Sequence, residues 1–144
     1  MAESHEVEWQ DAFSVGSELI DNQHKELVMM TNELFRNSES FSGVAAFLRT
    51  IQKAVNYAKI HFATEETFME KTNYPEYELH KAEHKSFVAE VLTQIKAFEE
   101  GRCAPLSFAL FLKKWLLNHI AVSDKKYSPY LKNIQDSEFA PDHD

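Results

Sequence analysis

The chain carries nitrogen and oxygen where a helical core calls for aliphatic carbon, at His24, His61, Glu65, His80, His84 and His119. His61 and Glu65 are four residues apart, and so are His80 and His84. Four residues bring an α-helix round to within about 40° of the starting face, so each pair points one way. Asp124 follows His119 by five residues. That offset is about 140° in a regular α-helix, and a wider π-type turn reduces it to about 50°. The spacing therefore predicts a bulge of that kind, or a break, between His119 and Asp124.

A buried imidazole costs a few kcal/mol unless it is hydrogen-bonded, and an unpaired carboxylate costs more. One such histidine is ordinarily a satisfied core residue. Donor pairs on two helices, matched by donors on two more, call for metal ions, which partner many lone pairs at once. Five imidazoles and two carboxylates exceed one tetrahedral zinc. They are too nitrogen-rich for calcium or magnesium. Two six-coordinate metals fit better. If both carboxylates bridge, together with an oxide or hydroxide, a three-and-two split of the histidines saturates one metal and leaves an open position on the other. Imidazole with carboxylate suits iron, and manganese or zinc suits the same cage. His5 and His143 lie in terminal segments and read as solvated.

Two enzyme patterns are set aside. His80-Lys-Ala-Glu-His84 matches the H-x-x-E-H string of some zinc proteases. Both histidines have a more economical use here, and Glu83 reads as a solvated helix residue. Carboxylate-rich di-iron bundles place a glutamate three residues before a histidine. Those positions here hold Asp21, Ala58, Tyr77, Lys81 and Leu116, none of them glutamate.

Helices must position these groups. Apolar and donor residues recur at alternating three- and four-residue steps, the mark of an amphipathic helix. One seam runs Ile20, His24, Leu27, Thr31, Leu34 and a second Phe47, Ile51, Ala54, Ala58, His61, Glu65, Phe68. A third takes His80, His84, Phe87, Val91, Phe98 and a fourth Phe108, Leu112, Trp115, His119, Val122. The expected helices span about 18–37, 44–71, 75–100 and 105 onward, resuming to about 131. Pro75 and Pro105 suit first turns and Gly101 suits a C-terminal cap. Short loops favour antiparallel neighbours. The expectation is an all-α fold, an up-down-up-down four-helix bundle with an extended N-terminal arm. It forms one domain over 1–144, with the arm at 1–17, the bundle at 18–131 and a flexible acidic tail at 132–144.

With 15 basic and 23 acidic residues the net charge is −8. Such a surface repels phosphate backbones and anionic lipid, so neither nucleic acid nor membrane is an expected partner. One cysteine, Cys103, excludes an internal disulfide and a Cys-based zinc site. It falls in a loop and has no assigned role. The first residues are neither basic nor apolar, and no apolar run approaches the roughly 18 residues of a membrane span. The expected location is cytoplasmic.

From about Val7 to Tyr130 the chain resembles the hemerythrins, and among them the single-domain bacterial ones. The resemblance rests on Glu8-Trp9, Phe13-Ser-Val-Gly16, Ile20-Asp-Asn-Gln-His24, His61-Phe-Ala-Thr-Glu65-Glu66, Met69-Glu-Lys, Tyr74-Pro, His80-Lys-Ala-Glu-His84, Trp115-Leu-Leu-Asn-His119-Ile and Asp124-Lys-Lys-Tyr127. It implies two iron ions joined by oxide or hydroxide. His80, His84 and His119 would hold the saturated iron and His24 and His61 the other, with Glu65 and Asp124 bridging. Dioxygen would bind end-on at the open position as a hydroperoxide. Leu27, Phe62, Leu116 and Ile120 would wall a dry oxygen pocket. Gln23 and Tyr127 would support the ligands from behind, and Trp9 and Trp115 would pack.

The function so implied is reversible dioxygen binding for storage, delivery or sensing, and not catalysis. The alternative on the same cage is a di-iron enzyme, a peroxidase, ferroxidase or nitric-oxide-handling protein. A proton donor in the pocket would mark the enzyme, and the sequence shows no clear one. An interaction module switched by metal is a third reading. The sequence names no protein partner.

Overall fold

Ser17 opens the first helix. Its Oγ accepts the backbone N–H of Ile20 at 3.2 Å, satisfying one donor that a helix start leaves bare. The computed structural model describes residues 5–131. The tail assigned to 132–144, with His143, lies outside the described residues. Helix α1 spans Glu18–Glu39, α2 Val44–Thr72, α3 Tyr77–Glu99 and α4 Pro105–Asn118. A π-helical turn covers His119–Ser123, and α5, Asp124–Leu131, continues the fourth rod. There is no strand among the described residues. Helices α1 and α3 each pack against α2 and α4. With short connections this is the up-down-up-down four-helix bundle that the seams require.

The chain's punctuation is mostly where turn chemistry puts it. Gly101 takes a left-handed φ of +76° after α3, and the N–H groups of Gly101 and Arg102 cap the carbonyls of Phe98 and Ala97. Helix α3 starts at Tyr77, two residues later than Pro75 suggested. Pro75 lies inside a tight turn in which the Tyr77 N–H donates to the Tyr74 carbonyl at 3.1 Å. Its fixed φ serves that turn and not the helix.

The arm is extended except for one 3-10 turn at Asp11–Phe13. It is strapped to the bundle by specific bonds. The Val7 N–H donates to Asn32 Oδ1 at 2.7 Å, and Asn32 Nδ2 donates to the Val7 carbonyl at 2.9 Å. The Asp21 carboxylate accepts the Val15 N–H at 2.9 Å and the Ser14 hydroxyl. His5, expected to be solvated, is partly buried, its ring stacked on Phe35 at 5.5 Å. The arm folds back over α1 and carries His5 with it.

Two apolar clusters divide the core. The larger holds Leu27, Leu34, Phe47, Ile51, Phe62, Phe87, Phe108, Leu116 and Ile120 among others. The smaller holds Val15, Ile20, Phe68, Met69, Tyr74, Tyr127 and Leu131. Along α1, His24 falls between Ile20 of the smaller cluster and Leu27 of the larger, and along the fourth rod Asp124 falls between Ile120 of the larger and Tyr127 of the smaller. One seam position is corrected. Val122 is 47% exposed, whereas Asp124 is fully buried. The π turn inserts one residue into the helical register, so the inward position moves past Val122.

Candidate metal centre

All five seam histidines aim Nε2 at the same two carboxylates. His24 Nε2 lies 2.7 Å from Asp124 Oδ2 and His61 Nε2 2.8 Å from Glu65 Oε1. His80 Nε2 is 3.1 Å from Asp124 Oδ1 and 3.8 Å from Glu65 Oε2. His84 Nε2 is 3.6 Å from Glu65 Oε1. His119 Nε2 reaches both, at 2.8 Å from Glu65 Oε1 and 3.1 Å from Asp124 Oδ2. The donor atoms form two overlapping groups that could each hold a metal ion. One is His24, His61, Glu65, His119 and Asp124, the other Glu65, His80, His84 and His119. Every member is buried.

The ring tautomers suit metal ligation. His61 Nδ1–H donates to Gln23 Oε1 at 2.7 Å, and Gln23 is itself oriented by donating Nε2 to Thr64 Oγ1 at 3.1 Å. His84 Nδ1–H donates to Glu66 Oε2 at 3.0 Å. A neutral imidazole that donates through Nδ1 presents a bare lone pair at Nε2. Buried Nε2 atoms of His61, His80 and His84 have no hydrogen-bond partner, nor do Glu65 Oε2 and Asp124 Oδ1. They stand close to one another without the alignment of a hydrogen bond. Orphaned lone pairs converging on one point are what a cation would satisfy.

The electrostatics follow from that crowding. Burial pushes Glu65 up, but His61 and His119 outweigh it and hold the carboxyl well below its usual range. Burial and Glu65 push Asp124 up, and His119 overrides both to hold it low. Burial pulls His119 down, yet Asp124 and Glu65 keep it well above the ordinary histidine value. His80 is raised too, Asp124 outweighing its burial. His61 is lowered, because its burial outweighs Glu65. Tyr127 is fully buried, and burial with the two carboxylates pushes its phenol up.

The Hemerythrin HHE cation binding domain model matches residues 15–131, most of the chain. The chain belongs to the hemerythrin family. A bacteriohemerythrin of Stenotrophomonas maltophilia is 33% identical over 94% of this chain and 87% of its own length. One of Pseudomonas paraeruginosa is 36% identical over 83% of this chain and 77% of its own. A solved wild-type hemerythrin superposes with a TM-score of 0.79 at 31% identity, covering 87% of this chain and 97% of its own. Family membership together with the His/Glu/Asp cluster makes this chain a non-haem iron, oxygen-binding protein rather than an enzyme.

In this hemerythrin-family chain an apolar cavity of about 30 Å³ lies in the larger cluster. Leu27, Phe62 and Leu116 line it, with Thr31, Ala54, Val55, Ala58, Phe87, Leu112 and Trp115. Ile120, expected in the same wall, is fully buried but does not line the cavity. The cavity wall abuts the centre. The Phe62 ring stacks on His84 at 4.0 Å and Trp115 on His119 at 4.6 Å. Trp115, read from sequence only as packing, thus also borders both cavity and ligand.

Two neighbours of the centre escaped the sequence reading. Glu66 holds His84, as described. Glu83, expected to be solvated, is half-buried, and its Oε1 accepts the Ser123 hydroxyl at 2.7 Å and lies 3.7 Å from His119 Nδ1. His119 is the largest influence holding this carboxyl below its usual value. Each glutamate sits on one helix and serves a histidine of another, so no spacing within a single helix announces it. Among the described residues, no helix is long and apolar enough to cross a membrane.

Proposed function

We propose that the chain binds dioxygen reversibly at a non-haem di-iron centre, for storage, delivery or sensing in the cytoplasm. His80, His84 and His119 would hold one iron and His24 and His61 the other, with Glu65 and Asp124 shared between them. The observation that carries this reading is the reach of the two carboxylates. Each lies within 4 Å of Nε2 atoms from both histidine sets. A carboxylate so placed suits a bridge, and five nitrogens leave one of two six-coordinate metals short of a ligand. When bound, such an iron pair would supply a ligand position and electrons to the gas.

The chain's own residues set the conditions for reversibility. Leu27, Phe62 and Leu116 keep water from the cavity beside the histidines. Thr31 contributes the one hydroxyl to the lining given above, and that hydroxyl donates to the Leu27 carbonyl at 2.9 Å. It is committed and unavailable as an acid. A wall with no uncommitted hydroxyl favours release of the gas over its reduction, which separates this reading from a peroxidase or ferroxidase. Gln23 and Glu66 fix the rings of His61 and His84, so the inward lone pairs need not reorganise.

Metal analysis of anaerobically prepared protein tests the assignment. Two irons per chain are expected, falling on Glu65→Ala or Asp124→Ala. One metal per chain in the parent, or full iron in both variants, contradicts it.

A further inference from the structure

The outward ring nitrogens of the histidines do not meet equivalent partners. In the three-histidine set, His84 Nδ1–H donates to the Glu66 carboxylate at 3.0 Å. His119 Nδ1 has no hydrogen-bond partner, but the Glu83 carboxylate lies 3.7 Å from it, within ion-pair range. Glu83 is held there by the Ser123 hydroxyl at 2.7 Å, and Ser123 belongs to the π turn. In the two-histidine set, His61 Nδ1–H donates to the neutral amide of Gln23 at 2.7 Å. His24 Nδ1 is buried with no hydrogen-bond partner. One half of the centre thus has one carboxylate bonded to an outward ring nitrogen and a second carboxylate beside another, whereas the only outward partner described for the other half is a neutral amide.

We propose that Glu66 and Glu83 are positioning residues that make the three-histidine half of the centre the electron-rich half, so that its metal is oxidised first. The inference rests on the di-iron reading above. A carboxylate on the outward N–H of a ligating imidazole draws that proton and strengthens the inward nitrogen as a donor. Negative charge one ring away also favours the more positive state of the ion. The two side chains are only 24% and 32% exposed, so water screens them incompletely. Gln23 orients its ring equally well but adds no charge. In the step concerned a ferrous ion loses one electron to a one-electron oxidant, becoming ferric while the oxidant is reduced by one. No bond to Glu66 or Glu83 forms or breaks.

The test is anaerobic titration of the iron-loaded protein with ferricyanide, followed by Mössbauer spectroscopy and by chelator extraction. Glu66→Gln and Glu83→Gln keep an acceptor oxygen and remove the charge. Both are expected to raise the potential of the first one-electron step and to speed iron extraction by about tenfold. Ser123→Ala should move both readouts the same way by less, and Glu66→Asp should restore them. Gln23→Glu should lower the second step and narrow the gap between the two. First-step potentials equal to the parent's in both charge-removing variants, with two irons retained, overturn the proposal. So does a rise confined to the second step. If the variants take up no iron, nitrogen-15 shifts of the metal-free parent decide. Nδ1-protonated rings at His84 and His119, each shifted by its glutamate variant, support the proposal, and bare Nδ1 atoms overturn it. A parent with fewer than two irons overturns the di-iron reading itself, and the inference with it.

Discussion

His119 and Asp124 face each other across 3.1 Å although five residues separate them. A regular α-helix would set them about 140° apart. The π-helical turn at His119–Ser123 absorbs the difference. It also exposes Val122 and hands the inward position to Asp124. The turn is therefore part of the donor set and not an incidental irregularity, as π-bulges near functional groups often are.

The turn makes a prediction about chain length. Deleting the exposed Ala121 leaves the two donors four residues apart, about 40° round an α-helix. Iron content is expected to stay near the parent value. Inserting one alanine after Ala121 turns Asp124 by about 100° and is expected to abolish loading of the pair. Iron per chain in the two variants checks this, and the reverse order of effects would refute it.

Proton release should accompany metal uptake. His119 is held well above its ordinary value in the metal-free chain, by Asp124 and Glu65 against its burial. Its protonated form is favoured by those two carboxylates, and a metal needs its nitrogen bare. Anaerobic ferrous loading in weak buffer should release protons, and the release should fall as the pH is raised through the value at which the group loses its proton unaided. Loading at neutral pH that releases no proton would contradict the ion-paired cluster.

The cavity wall separates two substitutions of similar size. Leu116→Asn places amide N–H donors where the lining is apolar, and autoxidation is expected to quicken at least about tenfold with iron retained. Thr31→Val removes a hydroxyl already spent on the Leu27 carbonyl, so its autoxidation rate should stay within about twofold. Loss of iron in Leu116→Asn would instead make that residue a support of the ligands.

Stripping the metal should cost stability. Without it the Nε2 atoms of His61, His80 and His84 and one oxygen each of Glu65 and Asp124 are left without a partner in a dry core. For a ligand at a hundred times its dissociation constant the linkage is about 2.7 kcal/mol, or about 10 °C in Tm for a domain of this size. Calorimetry of loaded and chelated protein checks the shift, and an unchanged Tm would contradict a metal held by the core.

What the sequence made legible was whatever repeats along one helix. The seams through His24, His61, Glu65, His80 and His84 needed only a constant turn angle, and all of these residues are buried. The same rule failed at Val122, because it assumes a register that the π turn breaks. It was also blind to Glu66 and Glu83. Their histidines sit on neighbouring helices, and the match depends on how the rods are rotated against each other. Ile120 shows a further limit, since burial follows from its seam but membership of a cavity wall depends on packing.

The most direct test of the central claim is optical. Anaerobically reduced, iron-loaded protein is titrated with dioxygen, and the gas is then removed under argon. A visible absorption band that appears on oxygenation and disappears on removal, through repeated cycles, is the expected result. A single irreversible oxidation that argon does not undo would contradict reversible binding and favour an enzyme on the same cage.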